Sequence, residues 1–118
     1  MGDICRIAAN PRMSGAVVHR GVAHLSGQVA IDHRGGAVAD QVDEVLARID
    51  ALLTEAGSDR SRLLSATILL SDMSVMPVLN AAWDQWIVPG CVPTRTSIQT
   101  VLASPAYALE IVVTAAAD

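Results

Sequence analysis

The chain has 118 residues, 52% of them hydrophobic and 17% charged, with a net charge of −4 and a mean hydropathy of +0.42. All eight basic residues are arginines scattered along the chain, and the only aromatic side chains are two Trp and one Tyr. That excludes the basic stripe and the stacking platform of a nucleic-acid binder. The length suits one domain over 1–118 with a single core, and so apolar a composition on so small a globule predicts surface covered by further copies in a closed homo-oligomer. Cys5 and Cys91 form neither a CxxC nor a metal-ligand pattern, which predicts reduced thiols in a cytoplasmic protein. No segment reads as a signal peptide or a membrane span.

Along the chain, the first expected strand is Gly15 to Val18. A turn at Arg20-Gly21 leads into a second strand from Val22 to Ile31 that contains Ser26-Gly27-Gln28, and Gly35-Gly36 marks the next turn. From Asp40 the period changes. Val42, Val45, Leu46, Ile49, Leu52, Leu53 and Ala56 form one continuous apolar stripe, so a helix is predicted over 40–56, with Asp40 as its cap and Gly57 as its stop. Leu63 to Leu70 has the length and composition of a buried strand. A second helix is predicted from Ser74, with Pro77 in its first turn, Leu79, Ala82, Trp83 and Trp86 on one face, and Pro89-Gly90 at its end. Two strands, 94–102 and 107–116, complete the chain as a hairpin around Ser104-Pro105-Ala106. The order is β-β-α-β-α-β-β, and the expected architecture is an α+β mixed sheet with both helices on one face.

Side-chain alternation locates two charged residues. On the last strand Tyr107, Leu109, Ile111 and Val113 are assigned to the helices, and Ala108, Glu110, Val112 and Thr114 to the other face. On its expected neighbour Ile98 and Leu102 go to the helices, which puts Arg95, Ser97 and Gln99 on the face of Glu110. In that register Glu110 sits opposite Gln99, and Arg95 lies ~13 Å along the strand at ~3.3 Å per residue, room for a small ligand between them. A guanidinium holds a carboxylate bidentately, and a carboxylate moves protons. An inter-subunit ion pair would account for the same two residues.

Leu25-Ser26-Gly27-Gln28, Glu55-Ala56-Gly57, Ala66 to Met73, Asn80, Pro93-Thr94-Arg95-Thr96-Ser97 and Leu109-Glu110-Ile111, in this order and spacing, resemble the RidA (YjgF) family of imine and enamine deaminases. The resemblance runs from about Val18 to Ala115. It implies a chorismate-mutase-like trimer with a central barrel and three interfacial clefts, hydrolysing 2-imino acids to 2-oxo acids and ammonia without a metal or organic cofactor. It also implies that Arg95 grips the substrate carboxylate, that Glu110 positions or activates water, and that backbone near Gly27 and Ser97 holds substrate or water. Asn80 is either a helix-surface amide or a contact to a neighbouring cleft. Two positions depart from the family pattern: Met13 stands where many members have a Tyr, and Ser97 replaces a Cys. Arg12 is a candidate second anion contact. A non-catalytic trimer binding small carboxylic acids, and a ribonuclease, are the competing functions.

Overall fold

A computed structural model of the chain describes residues 2–118. Its strands are β1 (Cys5–Ile7), β2 (Ala16–His19), β3 (Val22–Leu25), β4 (Leu63–Leu70), β5 (Thr94–Gln99) and β6 (Leu109–Ala116), and its helices are α1 (Val38–Glu55) and α2 (Met76–Trp86). The six strands form one mixed sheet in the order β1-β2-β3-β6-β4-β5. The α+β class and the mixed sheet are as the sequence predicts.

The α1 stripe packs as its spacing demands, with Val42, Val45, Ile49 and Leu53 at 0% exposure. The helix ends where expected: the Ser58 N–H donates to the Leu53 carbonyl and the Gly57 N–H to the Thr54 carbonyl, the paired bonds of a Schellman stop. Its start differs. The N-cap is Ala37 without a side-chain bond, and Asp40 lies inside the first turn. Buried Gln41 helps organise this end instead: its Nε2 donates to the carbonyls of Gly36 and Ala106 (3.2 Å each), and its Oε1 accepts from the Ala108 N–H at 2.9 Å. A single-turn helix at Met73–Val75, whose Ser74 N–H bonds the Asp72 carboxylate at 2.8 Å, leads into α2 with Pro77 at its start.

β4 is central, paired antiparallel with β6 on one side and parallel with β5 on the other. Alternate residues Ala66, Ile68 and Leu70 point into the core beside Leu109, Ile111 and Val113 of β6, all at or near zero exposure. Replacing Ile68 by Ala leaves a cavity among these side chains and should cost about 3 kcal/mol. Urea unfolding checks this as a fall in midpoint at unchanged slope.

Three features depart from the sequence reading. β1 was not foreseen; it pairs antiparallel with β2, Cys5 opposite Val18. The second strand stops at Leu25 rather than Ile31, and pairing with β6 resumes only at a single bridge, Gln28 opposite Ile111. From His24 to Gln28 the chain takes four steps where the facing run from Thr114 to Ile111 takes three, so one extra residue is accommodated around Ser26-Gly27. The last two strands form no hairpin: β6 inserts between β3 and β4, while β5 lies beyond β4 at the sheet edge. The connecting loop crosses the end of β4, held by Gln41 and by the Gly35 N–H bond to the Ala106 carbonyl (2.8 Å).

Candidate active site

The edge position of β5 reverses the face assigned to Arg95. Arg95 pairs with Ala66 and Ser97 with Ile68, residues that point to the helices, so Arg95, Ser97 and Gln99 lie on the helix side. Ile98, expected in the core, is 46% exposed on the other side, level with Leu69 and Glu110. Glu110 keeps its predicted face, half-buried away from the helices. Arg95 and Glu110 of one chain are thus two strands apart and ~14 Å distant by strand geometry, with the sheet between them.

α2 receives the guanidinium. Arg95 Nη2 donates to Asn80 Oδ1 at 2.6 Å and lies 3.2 Å from the Met76 sulfur. Its Cζ is 5.3 Å from the centroid of the Trp83 ring, a cation–π contact on a buried indole. The Ser97 Oγ lies 3.5 Å from Nε, at the limit of a hydrogen bond. Among the described residues no carboxylate pairs with Arg95, although Arg48, Arg60 and Arg62 each have one. The group is fixed in direction and keeps its charge uncompensated. Asn80, left open between two roles, holds the arginine. Met76 and Trp83 were missed as its neighbours, although Met76, Asn80 and Trp83 recur at i, i+4 and i+7, which places them on one face of α2.

On the opposite side, the break after β3 sets Gly27 directly beneath Glu110. A methyl group on Gly27 would lie 2.7 Å from the Glu110 carboxyl carbon and 3.0 Å from its Cγ, so only glycine leaves the carboxylate where it is. Next to Gly27 opens a cleft of about 560 Å³ whose lining includes Met13, Gly15, Gln28, Arg48 and Leu52. Met13 stands at this cleft. Arg12 does not line it; it is exposed, with its N–H bonded to Asn10 Oδ1 at 2.8 Å.

Arg48 was not anticipated, and the signal available was its i,i+4 spacing from Glu44. Its Nε donates to Gln28 Oε1 at 3.2 Å, and its Nη1 is 3.9 Å from Glu44. Glu44 in turn accepts the N–H groups of Asp32 (3.0 Å) and His33 (2.8 Å) and the His33 ring Nδ1 (2.8 Å). Desolvation pushes the Glu44 pKa up, but these donors outweigh it and hold the group at about 2. The hydrogen bond to Glu44 raises the pKa of His33 above its ordinary 6.5. The sign of each follows: the His33 contribution is full below 6.5 and lost as pH rises through its raised value, and the Glu44 contribution is full above 4.5 and lost as pH falls toward 2. The 31–36 loop should be most firmly tied to α1 between about pH 4.5 and 6.5. Amide exchange of Asp32 and His33, corrected for intrinsic rates, should show greatest protection there, and His33→Gln should remove the change on the alkaline side.

The family model described as Endoribonuclease L-PSP matches residues 4–117. A RutC family protein of Haemophilus ducreyi is 39% identical over 113 residues, covering 96% of both chains. The chain belongs to the RutC/YjgF family. The RutC family protein YoaB of Escherichia coli is 37% identical, over 96% of this chain and 97% of its own. Among solved structures, a YjgF-family protein of Neisseria meningitidis superposes with a TM-score of 0.94 at 38% identity, covering 99% of this chain and 97% of that one. A protein of Salmonella typhimurium described as a putative translation initiation inhibitor gives 0.88 at 37% identity, covering 98% and 99%. The resemblance read from the sequence is therefore correct at the level of family and fold. As a RutC/YjgF chain it carries the Arg95–Asn80 pair and the Glu110–Gly27 pair on opposite faces of its sheet.

Proposed function

We propose that the protein is a homo-oligomeric hydrolase of 2-imino acids, releasing 2-oxo acids and ammonia, whose site is assembled from two protomers. The observation that carries this reading is the Arg95 guanidinium, fixed by Asn80 and Trp83 yet unpaired with any carboxylate among the described residues. A cation so placed is a ready receptor for a small acid. The open sheet face supports the shared site: Ile98, 46% exposed, and half-buried Val112 and Glu110 lie on the side without helices. Covering that face with a second and third copy removes the apolar surface and brings Glu110 of one protomer toward Arg95 of the next.

In the reaction, Arg95 holds the α-carboxylate and orients the C=N carbon. Glu110 accepts a proton from water as its oxygen adds to that carbon, and returns one to nitrogen as the C–N bond breaks. The C=N group and one water become C=O and ammonia, ammonium when the imine enters protonated. The decisive experiment couples an amino-acid oxidase to the purified protein and follows ketoacid release. Acceleration over spontaneous hydrolysis is expected, and none would refute the activity.

Half-exposed Met13 at the cleft, without the hydroxyl that an aromatic Tyr would offer, favours a second reading as a carboxylic-acid binding protein. Tight 2-oxo acid binding with no rate enhancement would select it. A ribonuclease role, suggested by the description of the family model, is opposed by the net charge of −4 and the scattered arginines.

A further inference from the structure

The cleft beside Gly27 contains a cation for which the proposed reaction has no use. Gln28 is a buried polar residue at 7% exposure. Its amide nitrogen donates to the Ser26 carbonyl (3.0 Å) and Oγ (3.2 Å), and its Oε1 accepts from Arg48 Nε (3.2 Å). A buried amide tied on both ends fixes the arginine it holds. The Arg48 side chain remains 42% exposed, and its Nη2 has no partner among the described residues. Glu44, at 3.9 Å, is already engaged by two backbone N–H groups and the His33 ring, so it compensates Arg48 weakly.

We propose that Arg48 is a second anion subsite and that the preferred substrates are dicarboxylic, 2-imino acids of four or five carbons with a carboxylate at the far end. The inference rests on the reading that Arg95 of a neighbouring protomer takes the first carboxylate and that C2 reacts beside Glu110 and Gly27. Gly27, against which the Glu110 carboxylate rests, is adjacent to Gln28 and lines the same cleft as Arg48. A diacid of four or five carbons reacting beside Gly27 would carry its far carboxylate into this cleft, where Arg48 offers a charge-assisted hydrogen bond. An aliphatic chain of the same length would push a weakly compensated guanidinium out of water without replacing its solvent partners, which disfavours it.

The test compares 2-oxoglutarate with 2-oxopentanoate, equal in carbon number and differing in the second carboxylate, by calorimetric binding to the wild type and to Arg48→Gln. Turnover of the imines made in situ from glutamate and norvaline by amino-acid oxidases is measured in parallel. The wild type should favour the diacid at least tenfold in both readouts, and Arg48→Gln should lower that ratio at least tenfold, with Arg48→Lys in between. A ratio unmoved by Arg48→Gln, a wild type favouring 2-oxopentanoate, or no binding of either acid overturns the subsite. Preferential diacid binding that depends on Arg48, with neither imine turned over, would support the subsite and refute the deaminase.

Discussion

Arg95→Ala is expected to lower kcat/KM for 2-imino acids by roughly 100- to 1,000-fold, the usual effect of removing a fixed donor that orients or stabilises the reacting group. Folding should change little. Arg95 lies on the edge strand β5 and is only half-buried, and it has no carboxylate partner that its loss would leave buried and unpaired. Arg95→Lys separates charge from geometry: it retains the cation but loses the planar fork and the stacking on Trp83, so an intermediate loss is expected. The oxidase-coupled ketoacid assay, run beside thermal melts of both variants, reads these effects. Activity within a fewfold of wild type for Arg95→Ala would remove the carboxylate clamp.

A single methyl group should be nearly as damaging at Gly27. In Gly27→Ala the new Cβ would lie 2.7 Å from the Glu110 carboxyl carbon, so the flexible carboxylate must swing aside. A displacement of about 1 Å in a catalytic group is enough for a loss on the order of 100-fold. Gly27 is not among the glycines with positive φ, so Ala fits the backbone, and stability should stay within about 1 kcal/mol of wild type. The double variant with Glu110→Gln identifies the route. If Gly27 acts by seating Glu110, adding Gly27→Ala to Glu110→Gln costs nothing further. A further loss would mean that the glycine backbone meets the ligand directly.

The parts of the fold legible in the sequence are those with strong periodicity: the α1 stripe and its Gly57 stop, the apolar run of β4, and the alternation that keeps Leu109, Ile111 and Val113 inside and Glu110 outside. Thr94 to Gln99 contains a single apolar residue, too few to fix which face of β5 turns inward. The sequence predicts Ile98 in the core, yet on an edge strand that side chain points away from the helices and Arg95 toward them. Alternation fixes which residues share a face but not which strand lies alongside, and the non-local β4–β6 pairing replaces the local hairpin that the sequence predicts. β1 is too short for a pattern, and the extra residue near Gly27 reveals itself only against its partner strand. The sequence predicts Arg95 and Glu110 on one face of one chain, and their separation by the sheet makes cooperation between protomers necessary if both act on one substrate.

Mixing two inactive variants measures that cooperation. Arg95→Ala and Glu110→Gln chains, each expected to be nearly inactive alone, are co-refolded in equal amounts and assayed for ketoacid release. If each site takes its guanidinium from one protomer and its carboxylate from the next, random assembly rebuilds about a quarter of the sites, and activity should recover to about that fraction of wild type. Mixed assemblies that form yet stay as inactive as their parents would contradict a site shared between Arg95 and Glu110.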